Sequence, residues 1–152
     1  MGQTEHNHLD CITKALLQAK NICHETGEHL TPLRQKILQM VWGSHQAVTA
    51  YEILSELTKT QKNAAPPTVY RALDFLEKQG LIHKLESLKA FVGCIEPTGN
   101  HQGCFLICKK CRSVQEKLNF DRDDFFRKIT RSDNFKVESW VVEIEGLCAS
   151  CQ

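Results

Sequence analysis

The sequence has 152 residues, of which 41% are hydrophobic and 24% are charged, and its formal net charge is +1. These values are typical of a globular protein with one ordinary domain or two small ones, and no apolar run reaches the length of a membrane span. Acidic and basic residues balance in both halves of the chain, which excludes a strong overall positive field toward nucleic acid.

The cysteine content indicates metal or thiol chemistry. The N-terminal stretch MGQTEHNHLD lacks the basic and apolar regions of a secretory signal, so we expect a cytoplasmic protein. Thiols stay reduced in that compartment. The eight cysteines therefore favour metal ligands or catalytic groups over disulfides.

Four amphipathic helices are predicted in the first half of the chain. Apolar residues recur at helical spacing over residues 9–23. A second helix begins after Thr31, and a third begins after Thr49, where T-x-x-E is the pattern of a capping box. The fourth helix, 67–79, has a proline in its first turn and a glycine just past its end.

Shorter, strand-like patterns follow Gly80. LIHKLE and AFVGC predict a hairpin, and IEPTGNHQG predicts a linker. Helices followed by a hairpin are typical of a winged helix-turn-helix, which places its last helix in the DNA major groove. We therefore divide the chain into a winged-helix domain at 1–94, a hinge at 95–102 and a second domain at 103–152.

The second domain combines strands with one helix. GCFLIC and SVQEKL predict strands, and FKVESWVVEIEG predicts a long strand. DRDDFFRKIT predicts a helix that Asp121 would cap and whose inner face would carry Phe125 and Ile129. The whole chain is therefore predicted to be an α+β protein.

The exposed side of the fourth helix suits DNA binding. Tyr70 can pack on a thymine methyl group, and Arg71 can bind guanine or a phosphate. Thr68 can contact phosphate at the positive end of the helix, and Tyr51 on the preceding helix can reach the DNA backbone. Ordinary surface residues would show the same helical spacing, so this pattern alone leaves both interpretations open.

Two CxxC pairs predict a structural metal site. Cys108 and Cys111 form CKKC, and Cys148 and Cys151 form CASC. Four thiolates suit a tetrahedral zinc ion, which would fix the end of the chain to the sheet. The alternative is a redox CKKC, but the thioredoxin-like context of such motifs is missing. We assign the nearby Cys104 to packing.

A second set of potential ligands flanks the predicted linker. His83 and Cys94 lie in the hairpin, His101 lies in the linker and Glu116 lies in a later strand. Each of them has an ordinary interpretation as a surface or core residue. Together, one thiolate, two imidazoles and a carboxylate suit four-coordinate zinc better than iron or manganese.

Four stretches of the sequence carry a resemblance to a known family. They are LTPLR (30–34), PPTVYRALDFLEKQGLIHK (66–84), FLICKKC (105–111) and LCASC (147–151). They resemble the Fur family of metal-dependent repressors. The resemblance implies a bacterial homodimer with an N-terminal winged-helix DNA-binding domain and a C-terminal α/β dimerisation domain.

The same resemblance implies two zinc ions per chain. The structural ion would lie on the four cysteines of the CxxC pairs. The regulatory ion would lie on the set formed by His83, Cys94, His101 and Glu116, whose spacing is that of the zinc-sensing members. Tyr70 and Arg71 occupy the positions with which the family reads DNA.

The function implied is that of a zinc-responsive repressor, which binds double-stranded operator DNA and represses zinc-uptake genes. An iron- or manganese-responsive regulator of the same fold is the alternative. Cys94, and His101 standing alone in GNHQGCF, favour zinc. His29 stands where many members carry Lys or Arg, and no role is assigned to it, to Cys11 or to Cys23.

Rival functions of other classes are a zinc hydrolase or deaminase and a thiol redox sensor. A deaminase needs H-x-E and P-C-x-x-C, which the sequence lacks. A catalytic zinc keeps an open position, whereas each predicted site has four protein ligands. We therefore expect no catalytic residue, no small-molecule substrate and no membrane partner, and whether zinc or oxidant controls DNA binding would test the redox sensor.

Overall fold

A computed structural model describes residues 8–97, 103–118, 121–131 and 133–152. The chain separates into two compact units, Met1–Gly99 and Asn100–Gln152, and each is described by itself. His101 and part of the predicted hinge lie outside the described residues. No helix in the described part of the chain is long and apolar enough to cross a membrane.

The first unit contains the four predicted helices and the predicted hairpin. Its elements in chain order are α1 (His8–Thr26), α2 (Pro32–Trp42), β1 (Val48–Thr49), α3 (Ala50–Thr60), α4 (Pro66–Lys78), β2 (Ile82–Leu85) and β3 (Ala90–Gly93). The three strands form an antiparallel sheet in the order β1-β3-β2. This arrangement is a winged helix-turn-helix, with the β2–β3 hairpin as the wing.

Local capping defines where these helices begin and end. The Thr49 hydroxyl accepts a hydrogen bond from the Glu52 N–H at 3.2 Å, and the Glu52 carboxylate accepts one from the Thr49 N–H at 2.7 Å. The predicted capping box is therefore confirmed. Gly80, with φ +72°, ends α4 by letting the Leu81 N–H reach the Leu76 carbonyl at 2.9 Å.

The core of the first unit is formed by the predicted apolar faces of its helices. Its large side chains with less than 2% exposure include Ile37, Leu38, Val41, Ile53, Leu57, Val69, Leu73, Leu76 and Ile82. Each such side chain contributes roughly 1.5–3 kcal/mol of hydrophobic stabilisation. Helix α4 buries one apolar side, which includes Val69, Leu73 and Leu76, against α2 and α3. The side chains on its other side therefore face outward.

The second unit contains a three-stranded sheet and one helix. Its elements are β4 (Gly103–Cys108), β5 (Val114–Lys117), α5 (Arg122–Thr130) and β6 (Val141–Gly146). The sheet has the order β5-β4-β6, with β4 antiparallel to β5 and parallel to β6. Each unit combines helix with a small sheet that contains antiparallel pairs, which confirms the α+β class.

Two details of the second unit differ from the sequence prediction. The last strand begins at Val141 and not at Phe135, because its pairing with β4 begins opposite Gly103. On α5, the predicted inner residues Phe125 and Ile129 are 40% and 57% exposed. Phe126 is the half-buried aromatic of that helix, since its ring lies 5.2 Å from the Trp140 ring.

Candidate metal centres and nucleic-acid interface

Four cysteine thiols meet in the second unit. The Sγ atoms of this four-cysteine group all lie within 4.8 Å of one another, and its members are Cys108, Cys111, Cys148 and Cys151. The Cys111 and Cys148 sulfurs are 3.7 Å apart. Bonds of about 2.3 Å to a tetrahedral zinc ion would separate two sulfurs by about 3.8 Å. The thiols therefore fit such an ion.

Strand pairing brings the two CxxC pairs together. Cys108 is the last residue of β4 and lies opposite Gly146, the last residue of β6. A turn follows each strand: the Arg112 N–H donates to the Cys108 carbonyl, and the Cys151 N–H donates to the Cys148 carbonyl, both at 2.9 Å. Because the strands are parallel, both turns lie at the same edge of the sheet.

Hydrogen bonds shift the pKa values of three of these thiols in different directions. Backbone N–H groups of Cys111 and Cys148 lower the pKa of the Cys108 thiol to about 6. The Ser113 hydroxyl, 3.1 Å from the Cys111 sulfur, is the main cause that lowers the pKa of Cys111. Hydrogen bonding to Cys148 raises the pKa of Cys151 to about 12. Four thiolates this close repel one another, and a divalent cation would relieve that repulsion.

The CKKC segment does not have the setting of a redox motif. Residues 109–111 form a turn between β4 and β5, whereas redox CxxC pairs lie at the start of a helix. Cys104 is 3% exposed and does not belong to the four-cysteine group. Burial raises the pKa of its thiol, which fits the predicted packing role.

A histidine and a cysteine meet in the wing of the first unit. His83 lies opposite Val92 in the β2–β3 ladder, and the Cys94 N–H extends that ladder by donating to the Leu81 carbonyl at 3.0 Å. His83 and Cys94 are therefore diagonal neighbours on one face of the hairpin. Their ligand atoms lie within 4.8 Å, and the residues are 8% and 3% exposed.

The other two predicted regulatory ligands lie elsewhere in the sequence. Glu116 is a half-buried residue of β5 in the second unit, opposite Phe105 of β4. His101 lies outside the described residues. The first unit itself thus supplies two ligand atoms, an imidazole nitrogen and a thiol sulfur, which we call the His83–Cys94 pair.

The predicted DNA-reading residues lie on the surface of the first unit. Thr68, Tyr70 and Arg71 are exposed on α4, on the side opposite its buried stripe. Tyr70 is 53% exposed, and Tyr51 on α3 is 80% exposed. Aromatic and guanidinium groups held outward by a helix suit contact with bases and phosphates.

The N-terminus of α4 offers a phosphate fewer backbone N–H donors than a typical helix N-terminus does. The N-cap residue Ala65 makes no side-chain cap, and Pro66 and Pro67 have no N–H. The N–H groups of Thr68 and Val69 both donate to the Ala65 carbonyl, at 3.0 and 3.3 Å. A phosphate contact at Thr68 would therefore use its hydroxyl and not the backbone.

Sequence reasoning missed a side chain that packs on α4, the helix that carries the predicted DNA-reading residues. The Arg34 guanidinium lies over the Phe75 ring of α4, 3.4 Å from its centroid, and donates to the His29 carbonyl. Arg34 is part of LTPLR, so the motif itself contained the signal. The Arg34 guanidinium therefore contacts a helix of the protein itself.

Comparisons with known proteins agree with this geometry. The Ferric uptake regulator family model matches residues 25–145. The zinc uptake regulation protein of Escherichia coli (strain K12) is 37% identical over 139 residues, which are 90% of this chain and 80% of that protein. The peroxide-responsive repressor PerR of Staphylococcus saprophyticus is 27% identical over 144 residues, covering 95% and 96% of the two chains.

Two solved structures resemble the chain along most of its length. One is a zinc uptake regulator complexed with zinc and DNA, with a TM-score of 0.84, 35% identity and coverage of 91% and 93% of the two chains. The other is holo XcZur, with a TM-score of 0.77, 38% identity and coverage of 89% and 94%.

Proposed function

The chain belongs to the ferric uptake regulator family, and from that premise we propose that it is a zinc-responsive transcriptional repressor. It binds operator DNA as a zinc-loaded homodimer and represses zinc-uptake genes. The observation that carries the choice of metal is the Cys94 thiol beside the His83 imidazole in the wing. A thiolate is a soft ligand that suits zinc, whereas iron- and manganese-type sites favour imidazole and carboxylate ligands.

The structural ion is assigned to the four-cysteine group. Bound there, zinc would supply a cross-link between the turn after β4 and the turn after β6. The second unit needs such a link because, among its described residues, the buried apolar side chains all lie on β4; they are Cys104, Phe105, Ile107 and Cys108. So small a core does not stabilise a domain by itself.

The regulatory ion is assigned to His83, Cys94, His101 and Glu116. The His83–Cys94 pair supports this assignment, because two buried ligand atoms within 4.8 Å suit one ion. Glu116 and His101 complete the set by resemblance to the zinc-sensing members of the family. Four ligands from the wing, the hinge at 95–102 and the domain at 103–152 would restrict the motion of the domain at 1–94.

That restriction explains repression by zinc. A homodimer with restrained winged helices presents its two copies of α4 about 34–36 Å apart, which matches one turn of DNA and a pseudo-palindromic operator. Zinc and DNA then favour the same conformation of the protein. By linkage, operator DNA must raise zinc affinity by the factor by which zinc raises operator affinity.

At the operator, Tyr70 and Arg71 contact bases and Tyr51 contacts the DNA backbone. Thr68 adds a phosphate contact through its hydroxyl. The first unit carries no large charge excess, so affinity depends on these local contacts.

Dimerisation is assigned to the second unit, which exposes large apolar side chains. Val141, Ile144 and Leu147 are 58%, 47% and 51% exposed along β6 and the residue after it. Ile144 and Leu147 also line a cavity of about 430 Å³ beside the four-cysteine group. Exposed apolar side chains such as Ile144 and Leu147, which share this cavity, are typical of an interface, and a second copy of the chain would cover them.

One experiment tests both the identity of the regulatory metal and the proposed DNA-binding function. Operator DNA is selected from random sequence with the purified zinc-loaded protein, and binding is titrated against buffered free Zn²⁺, Fe²⁺ and Mn²⁺. We expect zinc to switch binding on at the lowest free concentration, with two ions per chain, one of them removed by mild chelation. A lower threshold for iron or manganese would favour the alternative regulator, and control by oxidant alone would favour a redox sensor.

A further inference from the structure

Trp42 lies directly against the wing that carries the His83–Cys94 pair. A β-carbon at Gly93 would lie 2.1 Å from Cε2 of the Trp42 indole and 2.4 Å from its Nε1. Real β-carbons do not approach other atoms this closely, so the contact requires glycine at this position. The indole of the last α2 residue therefore packs on the backbone of the last β3 residue.

The contact lies behind the ligands, on the opposite face of the hairpin. Gly93 is paired with Ile82, whereas His83 is paired with Val92. Alternation along the strands puts Gly93 on one face and Cys94 with His83 on the other. Trp42 thus fixes the backbone one residue before Cys94 without competing for the metal side.

The other end of α2 contacts α4. Arg34 stacks on Phe75, and the helix between Arg34 and Trp42 is about 12 Å long. Its inner side chains Ile37, Leu38 and Val41 are at most 1% exposed, in the same core as the α4 stripe. α2 is therefore a rigid element that touches the ligand hairpin at one end and α4 at the other.

We propose that Trp42 is a positioning residue that couples the His83–Cys94 pair to α4 through α2. The inference rests on the proposed function, because it requires zinc at that pair. When Cys94 and His83 close on a shared ion, the backbone at Gly93 takes one fixed position. The indole transmits that position to α2, and Arg34 and the buried side chains of α2 hold α4 in the matching position.

The test is a thermodynamic cycle in the full-length protein. Zinc affinity of the easily chelated site is measured with and without the selected operator, and the ratio of the two values is the coupling factor. Factors of about 5–150 are typical of such linkage. We expect Trp42→Ala to keep both zinc ions and the dimer while the coupling factor falls toward one, and Trp42→Phe to restore most of it. Trp140→Phe, in the second unit, is the matched control and should leave the factor unchanged.

A second variant and a fluorescence measurement test the Trp42–Gly93 contact without removing the indole. Gly93→Ala keeps the indole but displaces it, and it should lower the coupling factor as Trp42→Ala does. In the Trp140→Phe background Trp42 is the only tryptophan, and its emission should change when the second zinc ion binds. That change should disappear with Cys94→Ser.

The outcomes separate the inference from the function on which it rests. A wild-type protein whose operator binding does not respond to zinc would overturn both. A zinc-responsive wild type, together with an unchanged coupling factor in Trp42→Ala or Gly93→Ala, would overturn the inference alone. If Trp42→Ala does not fold, Gly93→Ala decides by the same measurement.

Discussion

The four-cysteine group and the His83–Cys94 pair use related ligands in different settings. The four-cysteine group is complete within one unit and is built from turns at the ends of two paired strands. The His83–Cys94 pair supplies two ligands on one hairpin, and its proposed partners come from other segments. A closed set of four ligands suits permanent structure, whereas a set assembled from several segments makes metal binding depend on conformation.

The largest expected effect comes from opening the four-cysteine group. Cys108→Ser should remove one zinc ion and unfold or monomerise the second unit, because structural zinc contributes about 10–16 kcal/mol in small domains. Zinc content and sedimentation would measure the loss. Cys104→Ser, four residues earlier on the same strand face, is the control and should keep the ion. A stable, dimeric Cys108→Ser protein would contradict the structural role assigned to the zinc ion at the four-cysteine group.

The next effect concerns the wing. Cys94→Ser should leave folding, the dimer and the structural ion intact but remove zinc-dependent operator binding, a loss of at least about tenfold at saturating zinc. Fluorescence anisotropy against buffered zinc measures it. Cys23→Ala, a buried cysteine of the same unit, is the control. Operator binding that still responds to zinc as in wild type would contradict the regulatory assignment and erase the contrast with the four-cysteine group.

A variant at the proposed DNA-contact residue Arg71 separates DNA recognition from zinc sensing. Arg71→Ala should weaken operator binding by about 1–3 kcal/mol if the guanidinium makes a bidentate base contact. Both zinc ions and the coupling between zinc and DNA should remain, because Arg71 is exposed on α4, away from the buried stripe. Lys78→Ala, at the far end of the same helix, should change affinity much less. Equal losses of operator affinity in the two variants would mean that Arg71 contributes only non-specific electrostatic attraction to DNA.

Much of this comparison could be predicted from sequence because its signals are local. The capping box at Thr49 and the glycine after α4 are set by neighbouring residues, and both are confirmed. The CxxC pairs are local too. The start of β6 depends on its register with β4, which is a tertiary pairing, and the predicted strand was too long for that reason.

The missed features depend on contacts between distant residues. Nothing near Trp42 in the sequence indicates that its indole covers Gly93, 51 residues later. The predicted inner face of α5 was wrong because Phe126 packs on Trp140, a residue beyond the helix. Pro67 was correctly predicted to lie in the first turn of α4. The weak supply of backbone N–H donors for phosphate was not predicted, because it depends on the Ala65 carbonyl, which accepts from the N–H groups of both Thr68 and Val69.

The smallest expected effect tests how rigid the four-cysteine group is. When Cys111 binds zinc it is a thiolate, so the Ser113 hydroxyl at 3.1 Å donates to it and fixes its orientation. Ser113→Ala should weaken zinc binding at this group by about tenfold, as loss of an outer hydrogen bond does at other metal sites. Competition with a chromophoric chelator measures the change, and Ser150→Ala in the other CxxC turn is the control. The easily chelated ion should be unaffected, because its proposed ligands do not include Cys111. If instead both ions weaken together, the two groups are not independent, and the division between permanent and conformation-dependent binding fails.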